Sequence, residues 1–182
     1  MTRAKEKKMR KVWAITAKAG LALRRNEEQV FLNLFPECDV GHKFVYKRVT
    51  DGVEVGCDLF SAACYGITSR KKDDLARTIA ERMIQEGLDL RLHRVNARHG
   101  FTALMMAAAC CETGLVELLL PHSDLDAITT SEGQTAAELA DGGGKAENAE
   151  LIRTFQLSRS EAQSLWDHIP EPKPKRENSI DD

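Results

Sequence analysis

Gly100-Phe101-Thr102-Ala103-Leu104-Met105-Met106-Ala107 and Gly133-Gln134-Thr135-Ala136-Ala137-Glu138-Leu139-Ala140 are the two stretches whose alignment decides the fold. Glycine, threonine and the last alanine recur at a spacing of 33 residues, and Leu118-Leu119 falls on Leu151-Ile152 at the same offset. Repetition at such a period marks a supersecondary unit that buries its apolar face against its neighbours. The residue types fit that reading. Glycine closes a turn in a conformation other residues resist, threonine caps the helix that follows, and small alanines let a neighbouring helix pair come close. Each unit thus reads as a glycine turn, a short apolar helix, a loop and a second, amphipathic helix.

Upstream, Leu59-Phe60-Ser61-Ala62-Ala63-Cys64-Tyr65-Gly66 superimposes on Leu104 to Cys111, one period plus about 12 residues away. Most of the extra length falls in the polar stretch 67–74. A second helix is then expected from about Asp73 to Glu86, with Leu75, Ile79, Met83 and Ile84 on one stripe and Gly87 as its stop. A fainter copy opens the chain, with Trp13 to Gly20 as a first helix and Glu27 to Phe35 as a second that Pro36 ends.

These units resemble ankyrin repeats. Gly100 to Ala108 is similar to that family's Gly-x-Thr-Pro-Leu-His-x-Ala-Ala signature, Gly114 to Leu120 to its second helix, and Ser123 to Ala127 to the finger that follows; Val95-Asn96-Ala97 looks like the lead into a finger. The sequence departs from the pattern at Ala103 and Ala136, which replace proline, and at Met105 and Glu138, which replace a histidine that ties down the loop backbone in the family. The resemblance implies an all-α solenoid of stacked helix-turn-helix repeats with short β-fingers. It also implies a non-enzymatic module that binds a protein partner through its fingertips and the exposed side of each first helix. The partner-facing positions would be Cys64, Tyr65, His99, Phe101, Ala109, Cys110, Ser131, Glu132 and Gln134. Tyr65 and Phe101 are the expected anchors, because exposed aromatics supply much of the energy at protein interfaces. Alternatives under the same resemblance are a regulator that occludes an enzyme or toxin, and a bacterial effector acting on a host protein.

Gly41 to Gly56 interrupts the repeats. β-branched and aromatic residues on both sides of Asp51-Gly52 predict a β-hairpin. It is either a recognition element, with Phe44, Tyr46, Lys47 and Arg48 as contacts, or a structural hairpin covering the first repeat. The expected organisation is a basic extension (1–11), repeats at about 12–41, 57–92, 95–127 and 128–157, the hairpin insertion (42–56), a capping helix (158–169) and a solvated, proline-rich tail (170–182). Trp166 is expected to pack on the last repeat.

Composition agrees with one intracellular globular unit. The 182 residues are 42% hydrophobic and 30% charged, enough to bury a core and too apolar for wholesale disorder. No apolar run reaches the roughly 18 residues of a membrane span. The five cysteines are an odd number without disulfide-framework spacing, which points to a reducing, cytoplasmic location, and neither a CxxC pair nor clustered histidines suggest a metal. The net charge of −2 conceals two opposed ends. Residues 1–25 hold nine cations against Glu6 alone, a net of +8; residues 112–150 hold nine acids against Lys145 alone, a net of −8. Nucleic-acid binding by the basic amino terminus is a lesser alternative, because no aromatic platform is interleaved with its cations. No nucleotide loop, zinc-protease pair or nucleophile elbow occurs. Gly142-Gly143-Gly144-Lys145 falls in a turn between expected helices and lacks the strand of a phosphate loop. No catalytic residue, cofactor or metal is expected.

Overall fold

A computed structural model describes residues 2–47, 54–66, 72–96, 98–129 and 131–167. Arg48, the Asp51-Gly52 turn, most of the polar loop before Asp73, the tail and the side chain of Trp166 lie outside what it describes.

The described chain is mostly helical. It consists of α1 (Arg3–Arg24), α2 (Glu28–Leu34), α3 (Leu59–Gly66), α4 (Lys72–Gln85), α5 (Ala103–Cys110), α6 (Thr113–Leu119), α7 (Ala136–Gly142) and α8 (Ala146–Asp167). One two-stranded antiparallel sheet pairs β1 (Phe44–Lys47) with β2 (Glu54–Cys57). Single 3-10 turns at Phe35–Glu37 and Leu120–His122 extend α2 and α6, each with a proline in its first positions, where no backbone N–H is needed.

Local chemistry explains where the first helices begin. The Thr102 hydroxyl accepts the Met105 N–H at 3.2 Å and the Thr135 hydroxyl accepts that of Glu138 at 3.3 Å. Asp58 does the same for α3, its carboxylate accepting the Ser61 N–H at 2.9 Å. Each cap satisfies a helix-end donor that would otherwise go unpaired. Ahead of the two threonines, Gly100 and Gly133 both sit at φ 67°. Their N–H groups close the same turn, onto the carbonyls of Asn96 and Thr129 at 3.0 and 3.3 Å. A side chain in that left-handed conformation costs about 1–2 kcal/mol, which explains glycine at both places.

The helices associate in chain order. α1 packs on α2, α3 on α4, α5 on α6 and α7 on α8; across these pairs α1 contacts α3, α3 contacts α5 and α5 contacts α7, while α6 lies against both α4 and α8. Ala103 to Ala108 of α5 are all buried, so this helix is apolar on every side and sits between neighbours. One continuous core runs from Leu23 and Phe31 through Phe60, Ile79, Leu104, Met106 and Leu119 to Ile152.

Two expected boundaries are corrected. Residues 1–11 are not a separate extension, because α1 runs unbroken from Arg3. No glycine or proline interrupts Arg3 to Ala19, lysine and arginine are good helix formers, and Glu6 and Arg10 pair at 2.6 Å one turn apart. Residues 158–167 do not form a separate capping helix either; they are the last turns of α8. The hydroxyls of Ser158 and Ser160 donate back to the carbonyls of Phe155 and Leu157, at 2.8 Å each, instead of capping a new start.

The hairpin strands pair Phe44 with Cys57 and Tyr46 with Val55. Phe44 is 6% exposed, and its ring closes directly on Gly20 of α1: a β-carbon there would lie 2.0 Å from the ring. Phe44 is thus a packing residue that docks the sheet on α1, not a partner contact.

Candidate functional site

The end of α1, the sheet, the end of α3 and the loop before α5 meet around a cavity of about 230 Å³. Each element is held there by a visible cause. Gly20 lets β1 close onto α1, and β2 continues through an antiparallel bridge from Cys57 to Asn96 and another from Asn96 to Phe101. Asn96 is buried, and its side-chain oxygen accepts the N–H groups of Arg98 and His99 at 2.9 and 3.2 Å, which fixes this loop from within.

The walls bring together three of the sequence-predicted residues, Tyr46, Tyr65 and His99, with Arg24, Asn96 and Arg98; Val55 forms an apolar patch. The Arg24 guanidinium lies 4.0 Å from the centre of the Tyr46 ring, close enough for a favourable cation–π contact. Tyr65 is 49% exposed, and burial of its phenol, reinforced by Cys110 and Cys64, pushes its pKa up to about 12. It is therefore a neutral hydrogen-bond donor at any physiological pH. Arg24 and Arg98 both line the cavity, and among the described residues its lining contains no carboxylate.

The other predicted residues divide. Phe101 is half-buried beside the cavity, its ring centroid 5.5 Å from that of His99. Ala109 and Cys110 are half-buried at the end of α5, and Ser131 and Glu132 are exposed, with Gln134 half-buried, in the loop before α7; none of these lines the cavity. Cys64 is a correction. It is 3% exposed and its sulfur lies 3.5 Å from that of Cys111, so it offers nothing to a partner. Burial pushes the Cys64 thiol far above its ordinary range, and that of Cys57 up to about 12, so these thiols act as small apolar groups. Lys47 takes part in β1 through its backbone.

Sequence reasoning missed Arg24, Asn96 and Arg98, and it missed a polar pair at the start of α3. His93 Nε2 lies 2.7 Å from the carboxylate of Asp58, which is wholly inaccessible. Burial raises the Asp58 carboxyl above its ordinary value despite the hydrogen bonds from His93 and Ser61. Thirty-five positions separate the two residues, and no local spacing connects them. A hint existed for Asn96, which stands at the finger lead, where an Asx turn is favoured.

A larger groove of about 570 Å³ runs along α8 and the Ser123–Asp126 loop. Its lining sets Arg91 and Arg159 against Asp124 and Asp126, and Asp126 already accepts a hydrogen bond from Gln156 at 2.9 Å. Its charges thus cancel across the groove, whereas those of the smaller cavity add.

No protein-family model matches the chain, and no curated protein matches it.

Proposed function

We propose that the chain is a non-enzymatic, cytoplasmic protein-binding module built as a stack of ankyrin-type repeats, and that it meets its partner along the loops and first helices. The observation that carries this reading is the survival of the 33-residue offset in three dimensions. Gly100 and Gly133 share one backbone conformation, Thr102 and Thr135 share one cap, and α5 and α7 pack on each other. Units of this kind form a continuous surface in which loop tips and first helices lie side by side. The convergence of Tyr46, Tyr65 and His99 supports the same face, and the unpaired cysteines support a reducing compartment.

The test is affinity capture with the full chain beside a Tyr65→Ala/Phe101→Ala variant, with folding of both followed by circular dichroism. A partner retained by the wild type and lost by the folded variant is the expected result. Equal retention by both removes the loop-and-first-helix face from consideration.

A further inference from the structure

We propose that the cavity between α1, the sheet and the 96–99 loop receives a carboxylate side chain from an acidic segment of the partner, held between Arg24 and Arg98. This deepens the protein-binding reading and rests on it.

Size comes first. Small-molecule sites occupy about 300–1,000 Å³, and 230 Å³ falls below that range while exceeding one acidic side chain. The occupant is therefore a group presented by a larger molecule. Charge comes second. Among the described residues neither Arg24 nor Arg98 forms an ion pair and no acid lines the cavity.

Preorganisation comes third. Arg24 is braced over Tyr46 and the Arg98 backbone is pinned by Asn96, so the ordering left for binding is chiefly that of the Arg98 side chain. Tyr46 and Tyr65 add apolar walls that thin the water around the pair, and Tyr65 adds a neutral O–H donor. The N–H groups of Arg98 and His99 are already given to Asn96, which leaves the two guanidinium forks. Guanidinium forks suit carboxylate and phosphate oxygens alike; the carboxylate is the acidic group that an unmodified protein segment carries, and the phosphoserine probe below separates the two.

The experiment is fluorescence anisotropy of the full chain with a labelled nine-residue peptide of alternating glycine and glutamate. The same peptide with glutamine, and again with phosphoserine, completes the probe set. The glutamate peptide is expected to bind and the glutamine peptide to fail. Arg98→Gln, at an exposed position where folding is not at stake, should weaken binding tenfold or more, as should Arg24→Gln. Arg10→Gln, about 21 Å away along α1 at 1.5 Å per residue, should change it less than twofold.

Equal losses at Arg10 and Arg98 would overturn the proposal in favour of a diffuse basic surface. Tighter binding of the phosphoserine peptide would replace the carboxylate with a phosphorylated side chain, and sedimentation showing self-association lost in Arg98→Gln would replace the partner with the acidic 112–150 surface of a second copy. The two readings fail separately. If Tyr65 and Phe101 are needed for capture but no acidic peptide binds, this inference falls and the protein-binding face stands; if the peptide binds through Arg98 while capture ignores Tyr65 and Phe101, the reverse holds.

Discussion

The stretches Gly100 to Ala107 and Gly133 to Ala140 share a local geometry under different loads. The glycine turn and the threonine cap are common to both, yet Leu104 and Met105 of the first become Ala137 and Glu138 in the second. The difference follows their neighbours. α5 is covered by α3 on one side and α7 on the other, whereas among the described first helices α7 packs on α5. Glycine and threonine therefore specify the shape, and the number of packed neighbours specifies what the shape carries.

The largest expected effect is at the shared position Met106 and Leu139. Met106 is fully buried, so Met106→Ala should cost about 2–5 kcal/mol, a lost transfer term plus a cavity term. Leu139 is half-buried, and Leu139→Ala should cost less than half as much. Urea midpoints of the two variants measure both. Equal losses would mean that the outer segment is packed as tightly as the inner one, and the comparison would fail.

The helix ends are fastened differently as well. The second helices of the adjacent pairs reach the end of α5: Lys72 Nζ of α4 donates to the Cys110 carbonyl at 2.6 Å, and the buried Asn148 amide of α8 donates to the carbonyls of Ala108 and Cys111 at 3.0 Å each. α7 ends on its own backbone, with the Lys145 N–H returning to Ala140 at 2.8 Å. Asn148→Ala strips two buried acceptors at once and should cost about 1–3 kcal/mol. Asn148→Leu should not recover the loss, since it restores bulk without a donor. Recovery by leucine in thermal unfolding would show that α8 needs only apolar volume there.

Position by position, legibility in the sequence tracks distance along the chain. The Thr102 and Thr135 caps, the Gly87 stop at φ 72° and the two strands around residue 51 all express local rules, and they stand where those rules put them. The start of α1 and the end of α8 depart from the repeat register because nothing local interrupts either helix. Of the cavity, Tyr46, Tyr65 and His99 were legible as surface aromatics and loop residues. Arg24 and Arg98 were not, because cations on a basic helix and in a loop look like ordinary solvated charges until the Phe44–Gly20 contact draws the sheet against α1. Asp58 and His93 meet only through tertiary structure, so no reading of spacing could have joined them.

The smallest and most selective effect lies in the residue three places after each threonine. In the inner loop the Met105 sulfur accepts the Thr102 N–H at 3.4 Å; in the outer loop the Glu138 carboxylate accepts the Thr135 N–H at 2.8 Å and its hydroxyl at 3.0 Å. Those two hydrogen bonds hold the Glu138 carboxyl below its ordinary 4.5. A carboxyl lowered in the folded state contributes stability above the unfolded value and loses it as pH falls through the folded one. The gap in melting temperature between wild type and Glu138→Gln should therefore be open at neutral pH and close below about pH 4. It should stay small throughout, because water screens so exposed a group. Met105→Leu supplies the contrast: a thioether does not titrate, so its gap should not narrow over the same range. A Glu138→Gln gap that is unchanged at about pH 3 would mean that the outer loop, like the inner one, is closed by the shape of its third residue and not by its charge.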